Sequence, residues 1–308
     1  MSDYSIATIR QGFKERGIFY TPPELAEMLK NLIPSEPRRV YDPTCGRGNL
    51  LGVFGDHVEK FGQDIDAEAV ADASTRLVNF HGAVGDVLAS PAFIDERFDA
   101  IVANPPFSVK WQETRDGIFA FVPEVPSRSK ADYAFLIHIL WMLTDDGTAV
   151  VLNSPGIGYR GGREAIIRRW MIEQNYVDTV ILIPGNTFTD TAISTLCLVL
   201  KKRRDTTDVR FVDKENNLER MVPLEEIRSK DHTLSVSAYV QKVEEKVEVD
   251  RAELEMLARR MAIKRIRLEL ETSRLIASLE GWDYSEFIAE LRAEIDAHES
   301  IYMSRSGK

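Results

Sequence analysis

The chain is poor in cysteine, in long apolar runs and in net positive charge, and each shortage removes a class of protein. Cys45 and Cys197 are the only cysteines in 308 residues. Two thiols cannot build a disulfide framework or a cysteine metal cluster, and no residue is read as a metal ligand. Cys197 lies in the apolar run Leu196-Cys197-Leu198-Val199-Leu200 and reads as core. No uninterrupted apolar run approaches the ~20 residues of a membrane span. Met1-Ser2-Asp3-Tyr4 lacks the pattern of a signal peptide. The expectation is a cytoplasmic protein with no membrane partner. The formal net charge is −10, which opposes strong unaided binding to a phosphate backbone, because that affinity comes from Lys and Arg. A local basic groove or a basic partner remains compatible with it.

What is present is an ordinary globular composition, 44% hydrophobic and 29% charged. The length suits one large α/β domain with an appendage. Residues 1–18 read as a short helical lead-in. Thr21-Pro22-Pro23-Glu24 predicts a helix start, with Thr21 as N-cap, Pro22 at the first helical position and Glu24 closing a capping box. From Arg39 onward strands and helices alternate. Strands are expected at 40–42, 61–65, 98–103, 148–152, 179–183 and 195–200, and helices at 49–54, 67–78, 131–143 and 163–173. Such alternation predicts a doubly wound parallel sheet with ligands at the carboxyl ends of its strands. Residues 108–130 form a long polar-aromatic loop, a length that points to function, with disorder as the alternative.

Composition shifts after Lys201-Lys202-Arg203-Arg204. The expected division is therefore a domain over 1–204 and an appendage over 205–308. The appendage begins with a small β-containing segment at 205–237. A charged helix follows, with Val240, Val247, Leu254, Met261, Leu268 and Leu275 at a seven-residue step. That row suits either a surface helix packed on the body or a helix that docks on another subunit. Gly281 ends it, and Asp283 to Glu286 opens a last helix carrying Phe287, Ile288, Leu291 and Ile295.

Four stretches carry chemistry. In Asp42-Pro43-Thr44-Cys45-Gly46-Arg47-Gly48-Asn49 an acid ends a strand and glycines follow. Gly46 and Gly48 let the backbone approach a ligand. The spacing is neither Gly-x-Gly-x-x-Gly nor a P-loop. An acid ahead of the glycines repels phosphate and attracts an ammonium, which favours the amino-acid end of S-adenosylmethionine; a purely structural turn is the alternative. In Gly62-Gln63-Asp64-Ile65-Asp66, Asp64 suits ribose hydroxyls and Asp66 suits a helix cap. Asp86, in Gly85-Asp86-Val87-Leu88, suits either the cofactor's adenine amine or a turn. Finally, Asn104-Pro105-Pro106-Phe107 follows the apolar run 98–103. Its prolines fix φ and remove two donors, leaving a rigid corner with a carboxamide, exposed carbonyls and an aromatic ring. The Asn104 side chain and the Pro105 carbonyl suit an exocyclic amine on a planar base, and Phe107 suits stacking on a base turned out of a duplex.

These blocks, with Phe19-Tyr20-Thr21-Pro22, Ala131-Asp132-Tyr133-Ala134-Phe135, Tyr159-Arg160-Gly161-Gly162 and Leu182-Ile183-Pro184-Gly185-Asn186-Thr187-Phe188, resemble N6-adenine DNA methyltransferases of the γ class. The likeness runs over about residues 18–202 and is greatest to modification subunits of type I restriction-modification systems. It implies a Rossmann-like, seven-stranded α/β sheet with an antiparallel last strand, S-adenosylmethionine as cofactor and a helical C-terminal appendage. It implies that Tyr20, Thr21, Asp42, Thr44, Cys45, Gly46, Gly48, Asp64 and Asp86 line the cofactor site, with Asn104 at its edge. Asn104, Pro105, Pro106 and Phe107 then form the target-base site. The implied partners are DNA and a specificity subunit bound partly through the C-terminal helices, with a restriction subunit or a second copy as further candidates. Only 18 residues precede the Phe-Tyr-Thr-Pro element, where such subunits carry a sizeable helical domain, so a short stand-alone methylase is the second form expected. Methylation of protein glutamine or RNA, and a cofactor-binding interaction subunit without turnover, are the alternatives.

Overall fold

The computed structural model describes residues 21–185, 194–241 and 251–306. Among them nine strands form one sheet: β1 (Arg39–Asp42), β2 (Glu59–Asp64), β3 (Phe80–Val84), β4 (Phe98–Ala103), β5 (Leu143–Asn153), β6 (Val177–Ile183), β7 (Thr195–Lys201), β8 (Val209–Asp213) and β9 (Leu218–Val222). Their order is β3-β2-β1-β4-β5-β7-β6-β8-β9. The strands pair in parallel, except that β7 runs against both β5 and β6 and β9 against β8. The seven strands from β3 at one edge to β6 are thus the expected sheet with its antiparallel last strand.

The count of seven is corrected to nine, because the β segment expected in the appendage continues the same sheet. Thr179 pairs with Arg210 and Val209 with Val222, which buries Val209, Phe211 and Val222. Packing divides the chain between Lys242 and Val243.

The helices follow from the sheet's need to cover both faces. Along β4, Ile101 and Ala103 enter one core and Ala100 and Val102 the other, a period-two pattern buried on both sides. One core is filled by α3 (Asp132–Met142), α4 (Arg163–Glu173) and α5 (Leu224–Ser229). Helix α3 is buried almost all round, as its uniform apolarity requires. The other core takes Leu25, Ala26 and Leu29 from α1 (Pro23–Lys30) and Val70 from α2 (Ala67–Arg76). Between Asn49 and Phe54 only a single 3₁₀ turn forms, Leu51–Val53, where a helix start was expected. Gly52 within it and the extended backbone at Phe54 stop propagation.

The second unit holds α6 (Arg251–Glu280) and α7 (Tyr284–Ser306). Gly281, at φ +78°, ends α6 as expected. Asp283 accepts from the Ser285 amide at 2.8 Å to start α7. Leu254, Met261, Leu268 and Leu275 of the seven-residue row are all more than half exposed, and Val247 lies outside the described residues. No described helix is long and apolar enough to cross a membrane.

Candidate active site at the carboxyl ends of β1, β2 and β4

β1 sits between β2 and β4, and the chain winds away from it in both directions. Such a switch point opens a crevice at the carboxyl ends, and Asp42, Asp64 and Asn104 stand at its rim. The loop after β1 is tied to β2 by its own backbone. The Cys45 amide donates to the Gln63 carbonyl at 3.0 Å, and the Gly46 amide to Asp64 Oδ2 at 2.8 Å. Gly46 and Gly48 adopt φ +50° and +78°, the left-handed region that favours glycine. Gly62 is required for close approach, since a Cβ there would stand 2.8 Å from the Cys45 Cβ and from Phe80.

The charges in this loop suit a cationic ligand. Asp42 is 1% exposed. Its Oδ1 accepts from the Thr44 amide at 2.9 Å and hydroxyl at 3.4 Å. Burial pushes its carboxyl up to about 8, with the nearby Asp64 adding to the rise and the Thr44 amide opposing it. An ammonium beside Asp42 restores the charge that burial suppresses. Arg47, the loop's own cation, is held by Asp72 instead. Asp64 accepts from Gly46 and, at 3.0 Å, from the Asp66 amide, and a carboxylate retains further lone pairs for hydroxyl donors. Burial pushes the Cys45 thiol well up, helped by Asp42 and Asp64, so it stays protonated and is no nucleophile.

Beyond β4 the corner is built as a hard turn. Pro105 is buried, and Asn104, Pro106 and Phe107 are half-buried. Asn104 Nδ2 donates to Thr21 Oγ1 at 3.2 Å, which turns its Oδ1 away from Thr21. Asn49 Nδ2 donates to the Thr21 carbonyl at 3.2 Å. Thr21 therefore joins the loop after β1 to the corner. It does not cap α1, whose N-cap is Pro22 with no side-chain cap bond. This corrects the expected capping box: the hydroxyl is used by Asn104.

Asp66 and Asp86 both accept bonds from nearby backbone amides. Asp66 caps α2, accepting from the Glu68 and Ala69 amides at 3.0 and 3.2 Å. Asp86 is exposed and accepts from the Leu88 amide at 2.9 Å in a turn. Tyr20, Asn186, Thr187 and Phe188 lie outside the described residues.

An ion cluster behind the corner escapes a reading of the sequence. Arg160 donates to Ser108 Oγ at 3.2 Å and to Ser154 Oγ at 3.0 Å. Its other amino group faces Asp132 at 3.6 Å and Glu164 at 3.5 Å. Asp132 in turn accepts from the Ser108 amide at 3.3 Å. Burial pushes the Glu164 carboxyl up, and Arg160 opposes it. Ser108, at φ +54°, is thus held in a strained turn directly after Phe107. The available signal was the i,i+4 spacing of Arg160 and Glu164, although Arg160 precedes the first turn of α4.

This strand order is that of the Rossmann-like methyltransferases, a class whose cofactor is S-adenosylmethionine. The chain belongs to the N-6 DNA methylase family, whose profile matches residues 4–246. It is similar to the type I restriction enzyme MpnII methylase subunit of Mycoplasma pneumoniae, at 30% identity over 300 residues, covering 77% of this chain and 55% of that one. The MjaVII methylase subunit of Methanocaldococcus jannaschii is 26% identical over 307 residues, covering 78% and 52%. The crystal structure of a type I restriction-modification methyltransferase subunit from Streptococcus thermophilus superposes with a TM-score of 0.68 at 27% identity, covering 73% of this chain and 59% of that one. The chain spans about half the length of the curated relatives it matches.

Proposed function

We propose that the chain is a DNA adenine-N6 methyltransferase that works as the modification subunit of a type I-like restriction-modification system. The observation that carries this is the orientation of Asn104. Its amino group is occupied by Thr21, so its carbonyl oxygen is the end presented to a donor, and an adenine amine is such a donor. The relatives' type I methylase names support the same reading.

Each residue then has a task. Asp42 and Thr44 hold the ammonium end of S-adenosylmethionine, Gly46 and Gly48 give its chain room, and Asp64 accepts from the ribose. Tyr20 and Asp86 are assigned to the cofactor's rim. When bound, the cofactor supplies an electrophilic methyl group on a sulfonium. Adenine N6 is a weak nucleophile because its lone pair is delocalised into the ring. Hydrogen bonds from N6 to Asn104 Oδ1 and the Pro105 carbonyl draw that nitrogen toward tetrahedral geometry and free the lone pair. Pro106 keeps the corner rigid, and Phe107 stacks on the extruded base. Catalysis is then positioning and electrostatics, with no covalent enzyme intermediate.

Recognition of sequence is assigned to a separate specificity subunit, docked on the exposed rows of α6 and α7. Radiolabelled methyl transfer to unmethylated DNA, with nucleoside analysis, tests the reading. N6-methyladenine is the expected product, with that subunit added if the chain alone is silent. Asn104→Ala should reduce transfer at least a hundredfold, the order lost when one positioned catalytic donor or acceptor is removed. Cofactor binding should stay nearly intact. Loss of cofactor binding in that variant refutes the site assignment.

A further inference from the structure

The segment between Ser108 and Ala131 is a packed strap rather than a loose loop. Its neck is closed by the Ala131 amide on the Val109 carbonyl at 2.8 Å and the Trp111 amide on the Arg128 carbonyl at 3.0 Å. Trp111, Ile118, Phe119, Val122 and Val125 anchor it in the core. Its outer side, together with the first residue of α4, encloses an open cleft of about 680 Å³.

Four cations line this cleft, Lys110, Arg115, Arg128 and Arg163, against two carboxylates, Glu113 and Glu124. Both carboxylates are committed to Arg163, at 2.6 and 4.0 Å. Arg115 donates to the Pro123 carbonyl at 3.2 Å. Lys110, Arg115 and Arg128 have no carboxylate partner among the described residues. In a chain of net charge −10, this is a local excess of positive charge on a rigid floor. It also lies close to the corner. Lys110 is three residues beyond Phe107, so the two Cα atoms are separated by at most ~11 Å of extended chain.

We infer that this cleft binds the phosphodiester backbone of the strand that carries the target adenine, a deepening that rests on the DNA-methylase reading. A base seated at Asn104 stays tethered to its flanking phosphates, and these must lie within a short reach of the corner. Lys110, Arg115 and Arg128 neutralise them. Arg163, fixed by two carboxylates, braces the cleft wall. Contacts of this kind set register without reading sequence, which suits a subunit whose sequence choice lies elsewhere.

The test uses the full chain, a fluorescent duplex with an unpaired adenine, and anisotropy titrations from about 50 to 200 mM salt. The variant K110A/R115A/R128A should bind about tenfold more weakly and with a shallower dependence of log K on log salt, by ~0.9 for each phosphate no longer neutralised. Its cofactor affinity should be unchanged, which reports an intact fold. The charge-keeping variant K110R/R128K should bind like the parent. A parent that binds or methylates this DNA beside a triple variant of equal affinity and slope overturns the cleft and leaves the methylase reading standing. A charge-keeping variant as weak as the triple one overturns the electrostatic role. A parent that neither binds nor methylates, with the specificity subunit added, overturns both.

Discussion

At the scale of the residue, Asp42 is the most informative side chain. Its carboxyl is lifted by burial to about 8, so the folded chain holds a proton that the unfolded chain releases near pH 4. More protons bound in the folded state means that its contribution to stability falls as pH rises from about 4 to about 8. Asp42→Asn should therefore raise the melting temperature of the cofactor-free protein, by more at pH 8 than at pH 5. On the proposed assignment, the same substitution should weaken S-adenosylmethionine, whose ammonium would lose its partner. In the parent, binding that requires ionised Asp42 releases a proton, so affinity should climb between pH 6 and 7 by up to about tenfold per pH unit. In Asp42→Asn that slope should vanish. Thermal melts and calorimetric titrations across pH check both expectations.

At the scale of the element, the loop after β1 and β2 act as one piece because Gly62 lets them touch. Gly62→Ala sets a methyl group against the Cys45 Cβ and Phe80, overpacking worth about 1–3 kcal/mol. Denaturant unfolding should show that loss together with weaker cofactor binding, and unchanged affinity would uncouple the loop from β2. The loop and the corner were legible in the sequence because their information is local: an acid and glycines after one strand, prolines after another. What was not legible depends on distant pairing. Strand β3 was missed because Phe80-His81-Gly82-Ala83-Val84 is an edge strand with little buried surface and no clear alternation. Strands β8 and β9 were placed outside the sheet because the register of β8 with β6, and of β9 with β8, leaves no trace in a charged, turn-rich segment. The strap's anchors, Trp111, Ile118, Phe119, Val122 and Val125, fall at helical spacing, but Gly117, Pro123 and Pro126 interrupt any helix there, so a packed structure read as an open loop. The Arg160, Asp132 and Glu164 cluster draws on two separate helical regions, and spacing alone exposes only half of it.

At the scale of the whole molecule, the proposed reading has an acidic chain with a basic cleft hold DNA with help, and it assigns the place for that help to the C-terminal unit. The exposed apolar row on α6 is stabilised in helix by pairs such as Arg265–Glu269 at 3.1 Å and Arg267–Glu271 at 3.3 Å. Ending the chain at Gly281 removes α7. Co-purification with a specificity subunit should then fall while cofactor binding by the first unit persists, and unchanged assembly would make α7 structural only. The two halves of the chemistry are also joined through Thr21, whose carbonyl and hydroxyl reach Asn49 and Asn104. A joint of that kind obeys thermodynamic reciprocity: whatever factor the methyl donor applies to affinity for DNA, DNA must apply to affinity for the methyl donor. Thr21→Val breaks the joint on the Asn104 side, and the two factors should shrink together toward one.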